Sequence, residues 1–211
     1  MRIHLVRRIL LVFTLPLLTL GAECDLSPFF EVFCANHPGH PRCTEQEEEL
    51  PPAKIVFVTS TTHPGSNIGG LEGGDRICTF LAGDAMLPGT FVAWLSDLTV
   101  DAKDRLTEPG GAGFVRTDGA VVATSIADLI DGAITNPIQL DENGIEVSAG
   151  SVWTGTKSDG TAVSNFTCDG WLQSIPAGRV GALDATDATW TDTGGNRDCD
   201  TGRNHLYCFE I

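Results

Sequence analysis

The chain has 211 residues and a formal net charge of −15, with 28 acidic against 13 basic residues. Such an acidic surface repels nucleic acid and anionic lipid, which excludes both as partners, while the length suits one domain with a real core. The 24 glycines favour short secondary-structure elements joined by many turns.

The first 22 residues have the pattern of a secretory signal peptide. Three arginines within residues 1–8 precede an apolar run from Ile9 to Leu20, and the small residues Gly21 and Ala22 follow. The run is too short for a good transmembrane helix and lacks a stop-transfer flank. No other segment is long and apolar enough to cross a bilayer. We therefore expect an exported protein, either secreted or held at the cell surface.

Cys24 lies directly after this segment and leaves the nature of the mature N-terminus open. The chain has seven cysteines, and a lipid on Cys24 would leave an even number to form disulfides. Against lipidation, Glu23 occupies the position where a lipobox has Gly or Ala. Cleavage after Ala22, with Glu23 as a free N-terminus, is the alternative. A membrane would be contacted only through such a lipid.

A short segment that follows carries side chains able to bind a metal. Cys34, His37, His40 and Cys43 are closely and evenly spaced, and thiolate and imidazole together suit zinc. Two nearby cysteines in an exported chain usually oxidise, however. A structural Cys34–Cys43 disulfide is therefore favoured over a zinc site.

One domain is predicted over residues 54–211. A run of glutamates and the pair Pro51-Pro52 precede it, so the cysteine-containing segment 23–53 ends in a solvated linker. Short apolar runs predict strands at 55–59, 90–96, 113–116, 120–123, 152–154 and 204–210. Helical spacing predicts a helix over Glu72–Ala85 and a short second helix capped by Ser125. Early helices followed by short strands and long loops indicate an α+β fold.

Local signals support several of these elements. Asp118-Gly119 is a favourable turn pair between two short apolar runs, which predicts a hairpin. Ser125 is a plausible N-cap because Asp128 follows three residues later, and Gly132 suits the C-terminal end. Residues 63–70 and 97–112 are predicted to be loops.

The domain contains the four remaining cysteines, Cys78, Cys168, Cys199 and Cys208. Cys78 lies in the first predicted helix and Cys208 in the last strand, while the other two bracket a loop segment rich in Trp and Asp. Four cysteines allow three pairings, and the spacing leaves all of them open. Their presence indicates an oxidising compartment and a loop-rich domain.

Clustered hard oxygen ligands make calcium the candidate metal. Asp141, Glu142 and Asn143 are adjacent, and the later loops contain further carboxylates at Asp184, Asp187, Asp192, Asp198 and Asp200. Calcium takes six to eight such ligands, although no EF-hand spacing occurs here. A solvated acidic loop is the favoured alternative because carboxylates are usually exposed.

The tryptophans are candidates either for the core or for ligand contact. We predict that Trp94 and Trp153 are core residues, since Trp is mostly buried. Trp171 and Trp190 are left open as stacking platforms for sugar rings. With Asp192 and Asn196 they form the set of ligand-binding candidates.

The sequence gives little support for an enzyme. It contains no Gly-x-Ser-x-Gly elbow, HExxH motif or P-loop, so no catalytic residue is assigned. Asp141 and Glu142 could serve as an acid/base pair, but adjacent carboxylates are common in an acidic chain. A carboxylate-dependent hydrolase is therefore the weaker alternative.

Several segments in the same order resemble the endostatin domain of certain collagens. They are 69–78 (GGLEGGDRIC), 87–96 (LPGTFVAWLS), 151–155 (SVWTG), 168–171 (CDGW), Cys199 and 206–210 (LYCFE). A bacterial family of unknown function, found in surface and secreted lipoproteins, is more similar still, through 57–60, 94–97, 141–144, 153–155 and 190–192. The resemblance covers about residues 54–211.

The resemblance implies a C-type-lectin-like fold, with two helices flanking a small, mostly antiparallel mixed sheet and long loops. It also implies a nested pairing, Cys78 with Cys208 and Cys168 with Cys199. Endostatin's zinc and heparin binding do not carry over. His63 stands alone beside the first strand, and the chain is acidic rather than arginine-rich.

We therefore expect an exported, non-catalytic recognition or adhesion domain at the cell surface. It would bind a glycan or an extracellular protein through the loops of residues 136–203, with calcium as the one candidate cofactor. A structural envelope component without a soluble ligand is the alternative from a different class.

Overall fold

The structure is a computed structural model, and it describes residues 32, 33, 35–37 and 52–211. The chain divides into two compact units, Met1–Glu48 and Glu49–Ile211. In the first unit, Asn36 lies in a helical stretch, and its side-chain amide donates to the Val32 carbonyl at 2.8 Å. The predicted signal peptide, Cys24 and the Cys34–Cys43 pair lie outside the described residues.

The second unit has an α+β arrangement of short elements. Its described helices are α1 (Gly70–Asp84), α2 (Ile126–Leu129) and α3 (Cys168–Trp171). Its described strands are β1 (Lys54–Val58), β2 (His63–Pro64), β3 (Phe91–Ala93), β4 (Phe114–Arg116), β5 (Val121–Ala123), β6 (Ser151–Trp153), β7 (Gly178–Ala182), β8 (Asn196–Arg197), β9 (Arg203–Asn204) and β10 (Tyr207–Glu210). Turns of 3-10 helix lie at Gly65–Asn67, Ala102–Arg105 and Ala188–Trp190. The predicted α+β class is confirmed.

In the described residues, the largest sheet has five strands in the order β3-β10-β1-β4-β5. β1 pairs antiparallel with β10, with Phe57 opposite Cys208, and parallel with β4. Two smaller sheets, β2-β9 and β6-β7-β8, are formed by the remaining strands. The mixed sheet with mostly antiparallel pairs agrees with the predicted class.

Strand alternation places two apolar clusters on opposite faces of the large sheet. Val56, Val58 and Phe209 face one cluster, which also contains Leu129 of α2. Phe57 and Cys208 face the other cluster, which contains the buried face of α1. Successive side chains of a strand point to opposite faces, so the compact apolar run at residues 55–58 supplies both clusters.

Helix α1 packs closely against the sheet through small residues. Cys78 and Ala82 are buried on its sheet-facing side. A Cβ on Gly74 would meet the Ala93 side chain. A Cβ on Gly73 would overlap the Ile68 carbonyl oxygen, so only glycine fits at position 73. The helix begins two residues earlier than predicted, after Gly69 in a left-handed conformation with φ 86°.

Two disulfides join distant parts of this unit. Cys78 of α1 is bonded to Cys208 of β10, across 130 residues, and Cys168 of α3 to Cys199, across 31. This is the nested pairing that the resemblance implies. In the chain-entropy account, loops of these lengths stabilise the fold by about 5 and about 4 kcal/mol.

Several predicted boundaries differ from the structure. The predicted strand 204–210 is two strands, because Arg203–Asn204 pairs with β2 whereas Tyr207–Glu210 joins the large sheet. The predicted strand 90–96 ends at Ala93, because the chain then turns away and Ser96 N donates to the Thr154 carbonyl at 3.0 Å. The predicted loop 63–70 contains β2, a 3-10 turn and the first residue of α1, and the predicted loop 97–112 contains a 3-10 turn.

Helix α3 is a tight turn that the sequence did not predict. Four consecutive residues from Cys168 to Trp171 have positive φ angles, of 47°, 51°, 70° and 67°. Residues other than glycine rarely adopt this left-handed conformation, so the turn must be held by its surroundings. The Thr167 hydroxyl accepts from Gly170 N at 3.3 Å, and Trp171 is buried.

Candidate binding site

Both tryptophans that the sequence left open between core and sugar platform lie in the core. Trp171 and Trp190 are 0% exposed. Trp171 packs 5.8 Å from Trp153, and its Nε1 donates to the Ser96 carbonyl at 2.8 Å. Trp190 lies between Trp94 and Tyr207, at 5.3 and 5.7 Å. Of the two alternatives left open for these residues, the structure therefore shows the core and not an exposed stacking platform. Trp94 and Trp153 are buried as predicted.

The calcium candidates form a clamp between two segments. Asp141 Oδ1 accepts from Asn143 N and from Ile145 N, both at 2.8 Å. The Glu142 carboxylate accepts from Ser60 N at 3.0 Å and from the Ser60 hydroxyl. Both acidic residues are only 5% exposed. Asp141 Oδ1 and both Glu142 oxygens therefore already accept bonds from protein donors. Calcium at these residues stays a prediction.

The other loop carboxylates mostly anchor turns. Asp187 accepts from the hydroxyl and backbone N–H of Thr189, and these bonds lower the pKa of Asp187. Asp198 accepts from Thr201 N at 2.8 Å and from its hydroxyl at 2.9 Å, which lowers the pKa of Asp198. Across the described residues, no group of three or more His, Cys, Asp or Glu side chains is placed to hold a metal ion.

Two of the predicted ligand-binding candidates meet at a polar patch on β7 and β8. This loop patch consists of Phe166, Arg179, Asp192 and Asn196. Arg179 Nη1 donates to Asp192 Oδ1 at 2.6 Å, and its guanidinium lies 5.3 Å above the Phe166 ring. Asn196 is directly opposite Arg179 in the strand register. Arg179 Nε and Asn196 Oδ1 are buried without a hydrogen-bond partner in the described part of the chain. The sequence did not identify Phe166 or Arg179.

A groove along α1 is a site that the sequence did not predict. It encloses about 570 Å³. Its apolar wall is formed by Ile68, Ile77, Phe80 and Leu81, and its polar residues are Thr61, His63, Asn67 and Arg76. A volume of this size is typical of ligand sites, which are also mostly apolar with a few polar groups. We call it the α1 groove.

Phe80 separates the α1 groove from a second concavity. This one encloses about 490 Å³ and is lined by Thr79, Thr90, Phe91, Val92 and Ile211, besides Asp75. Both concavities share Arg76 and Phe80. Phe80 is 66% exposed, so its ring forms an apolar ridge with a hollow on each side. The groove, the ridge and the second hollow together are the α1 surface.

The second hollow is backed by a sheet edge whose backbone groups are already bonded. β3 is an edge strand of the five-stranded sheet. Asp75 Oδ1 accepts from Ala93 N at 2.9 Å, and Arg105 Nη1 donates to the Ala93 carbonyl at 2.5 Å. The Thr79 hydroxyl donates to the Phe91 carbonyl at 3.1 Å. A partner would therefore contact side chains here and would not add a strand.

The groove is flanked by basic side chains. Arg76 is 70% exposed at its side chain, and its contact with Glu72 is a loose one of 4.0 Å between two exposed groups. Arg203 lies opposite Pro64 in the β2–β9 pair. Burial, followed by the nearby His205 and Arg203, lowers the pKa of His63. At neutral pH the formal positive charge in the groove lining therefore comes from Arg76, and Arg203 adds a further positive charge near His63.

A sequence signal for the α1 surface did exist. The apolar face predicted for α1 comprises Ile77, Cys78, Leu81, Ala82 and Ala85. Phe80 lies three residues after Ile77, so the two side chains are neighbours on the helix surface. Phe80 therefore widens the predicted apolar face. When the apolar stripe of a helix is wider than the face that the fold buries, the residues at the edge of the stripe stay exposed.

A scan against protein-family models and a search of curated proteins found no match to this chain. Among the described residues, no helix is long and apolar enough to span a membrane. The disulfides are compatible with an extracellular protein.

Proposed function

We propose that this protein is an exported, non-catalytic recognition domain with a C-type-lectin-like, endostatin-like fold, and that it binds an extracellular protein. The α+β fold, the two nested disulfides and the signal-peptide pattern of residues 1–22 support the fold and the compartment. The motifs shared with bacterial surface lipoproteins support membership of that family.

The observation that carries the binding role is the exposed Phe80 ridge between two hollows. Phe80 is 66% exposed, and its ring lines two mostly apolar hollows instead of standing alone on a polar surface. Aromatic residues are enriched at protein interfaces, and hot spots cluster where such a side chain fits a complementary pocket. The disulfide at Cys78 fixes α1 to the sheet, so this surface is rigid before a partner arrives.

The non-catalytic part of the proposal is supported by the surroundings of the candidate carboxylates. Asp141 Oδ1 and both Glu142 oxygens accept bonds from backbone or hydroxyl donors, and both residues are only 5% exposed. A general base must reach a substrate proton, and these groups face the protein instead.

Site-specific photocrosslinking of the full-length exported protein tests the proposal. A benzophenone amino acid would replace Phe80 in one variant and Ile145, which is 63% exposed and lies outside the α1 surface, in a control variant. Each variant would be irradiated on producing cells and with a panel of purified extracellular proteins. We expect a discrete adduct from position 80 that excess wild-type protein suppresses and excess Phe80→Ala protein does not. Identical adducts from both positions would contradict a binding role for Phe80.

Glycan binding through the loops of residues 136–203 is the second candidate function. It is favoured by the loop patch, where Arg179 Nε and Asn196 Oδ1 are buried without a partner in the described residues. Buried polar atoms normally have partners, so a donor and an acceptor side by side suit a ligand hydroxyl or a water molecule. A glycan array, read with calcium and with a chelator, tests it. Binding that survives Asn196→Ala would exclude this patch.

A further inference from the structure

We propose that the α1 groove binds an acidic segment of its partner protein, with an apolar side chain of that segment against Phe80 and a carboxylate on Arg76. This inference rests on the proposed function, because it names the chemistry of the partner at the same surface. It excludes a basic segment and a neutral glycan as the groove's occupant.

The groove wall demands an apolar contact. Ile68 is buried at its base, Ile77 and Leu81 are half-buried along its side, and Phe80 is exposed at its rim. The carbon atoms of this wall offer a sugar hydroxyl no hydrogen-bond partner, so a sugar could be bound only through the polar residues of the lining. An aliphatic or aromatic side chain matches both the chemistry and the size of the groove.

The charge of Arg76 determines which charged residues the partner segment should carry. Four basic residues of the described chain are held in ion pairs of 2.6 Å: Lys103, Arg105, Arg116 and Arg179. Arg76 has only the loose contact with Glu72, which costs little to break because both side chains are exposed. Asp75, the next carboxylate on α1, already accepts two bonds from Arg105. Arg76 is therefore available to a partner carboxylate.

The surroundings of the groove reinforce this preference. Gly73, in the first turn of α1, lines the groove, so the positive end of the helix dipole lies close to it. His63 lines the groove, and Arg203, opposite Pro64 in the β2–β9 pair, is close enough to affect the pKa of His63. The chain carries a net charge of −15, so the positive charge of Arg76 at the groove is opposite in sign to the charge of the protein as a whole. Complementary charge steers association and discriminates between partners.

Matched peptides test the ligand chemistry directly. Two fluorescent peptides would be used, each with the same spaced leucines, one carrying glutamates between them and the other lysines. Binding to the full-length protein would be measured by anisotropy at low and at high salt. We expect the glutamate peptide to bind and the lysine peptide to fail, with binding weakened by salt.

Variants separate the two parts of the site. Phe80→Ala should weaken binding of the glutamate peptide about 10-fold or more, as for an interface hot spot. Arg76→Gln should weaken it by about 2- to 5-fold and reduce the salt dependence, as for an exposed ion pair. Glu72→Gln, which removes the competing carboxylate, should strengthen it. Arg197→Gln and Leu172→Ala, exposed residues that do not line the groove, should have no effect. Circular dichroism would verify that each variant is folded.

The outcomes distinguish this inference from the proposed function. Equal binding of both peptides with loss in Phe80→Ala would overturn the acidic preference and leave the α1 surface as a binding site. Glutamate-peptide binding unchanged in both Phe80→Ala and Arg76→Gln would place the peptide elsewhere and overturn the inference. Failure of both peptides, together with no position-specific crosslink at residue 80, would overturn the inference and the proposed function together.

Discussion

The guanidinium of Arg105 donates to both carboxylate oxygens of Asp75, at 2.6 and 2.7 Å. The same two side chains bond the backbone of Ala93, where Asp75 accepts from the N–H and Arg105 donates to the carbonyl. One ion pair thus occupies the free edge of β3 and ties α1 to the Ala102–Arg105 turn. Unpaired sheet edges are templates for aggregation, so this pair protects the five-stranded sheet.

We predict that Asp75→Asn and Arg105→Gln each lower the free energy of unfolding by about 2 kcal/mol, because each leaves a part-buried charged partner without its bonds. Urea unfolding, followed by tryptophan fluorescence, would measure it. Arg116→Gln is the matched control. Its Asp118 partner is 45% exposed at the side chain, and this pair should contribute less than about 1 kcal/mol. An equal loss of unfolding free energy in all three variants would show that the bonds to the edge of β3 do not make the Asp75–Arg105 pair more stabilising than an exposed ion pair.

Glu142 should act as a structural clamp. Glu142→Gln replaces an acceptor of the Ser60 backbone N–H and hydroxyl by an amide that keeps one oxygen, and we expect a loss of about 1–2 kcal/mol in the free energy of unfolding. Asn143→Ala, at the exposed neighbour, should cost less. If instead a chelator lowers the melting temperature of the wild-type protein but not of Glu142→Gln, then this residue holds calcium.

Two of the four buried tryptophans, Trp171 and Trp190, form a natural pair for measuring an indole hydrogen bond. Trp171 Nε1 donates to the Ser96 carbonyl, whereas Trp190 Nε1 has no partner among the described residues. Trp171→Phe should therefore lower the free energy of unfolding by about 1–3 kcal/mol more than Trp190→Phe, since it leaves the Ser96 carbonyl unpaired in the core. Urea titration of both variants is the measurement. A larger loss for Trp190→Phe would contradict the assignment of these contacts.

His63 should make stability depend on pH in the mildly acidic range. Its pKa in the folded protein is lowered by burial, by His205 and by Arg203, whereas in the unfolded chain it is near 6.5. As the pH falls through this value, the unfolded chain takes up a proton that the folded protein does not. Stability contributed by neutral His63 is therefore present above pH 6.5 and declines as the pH falls below it. Thermal unfolding between neutral and mildly acidic pH should show this slope, and His63→Asn should flatten it.

Elements with local signals were predicted correctly from the sequence. The Ser125 hydroxyl accepts from Asp128 N at 3.1 Å, as expected for an N-cap. Gly119 has φ 85° at the turn between β4 and β5. Both features depend only on residues that are close in sequence, so they can be predicted from a short stretch of the chain.

Elements that depend on distant packing were missed. β7 is rich in glycine because a Cβ on Gly178 would strike the Trp153 ring and one on Gly181 the Trp190 carbonyl. Nothing near these glycines in sequence reveals those neighbours. The exposed position of Phe80 and the burial of Trp171 depend likewise on which faces the fold covers, and the residue types alone cannot tell a platform from a core ring.

The bond between Cys78 and Cys208 also defines a path for mechanical force. Phe80 lies two residues beyond Cys78 on α1, and Cys208 lies in a strand with neighbours on both sides. Tension applied by anything attached to that ring reaches the middle of the sheet through sulfur atoms and not through side-chain packing alone. The helix therefore stays attached to the sheet under force, as long as the disulfide is not reduced.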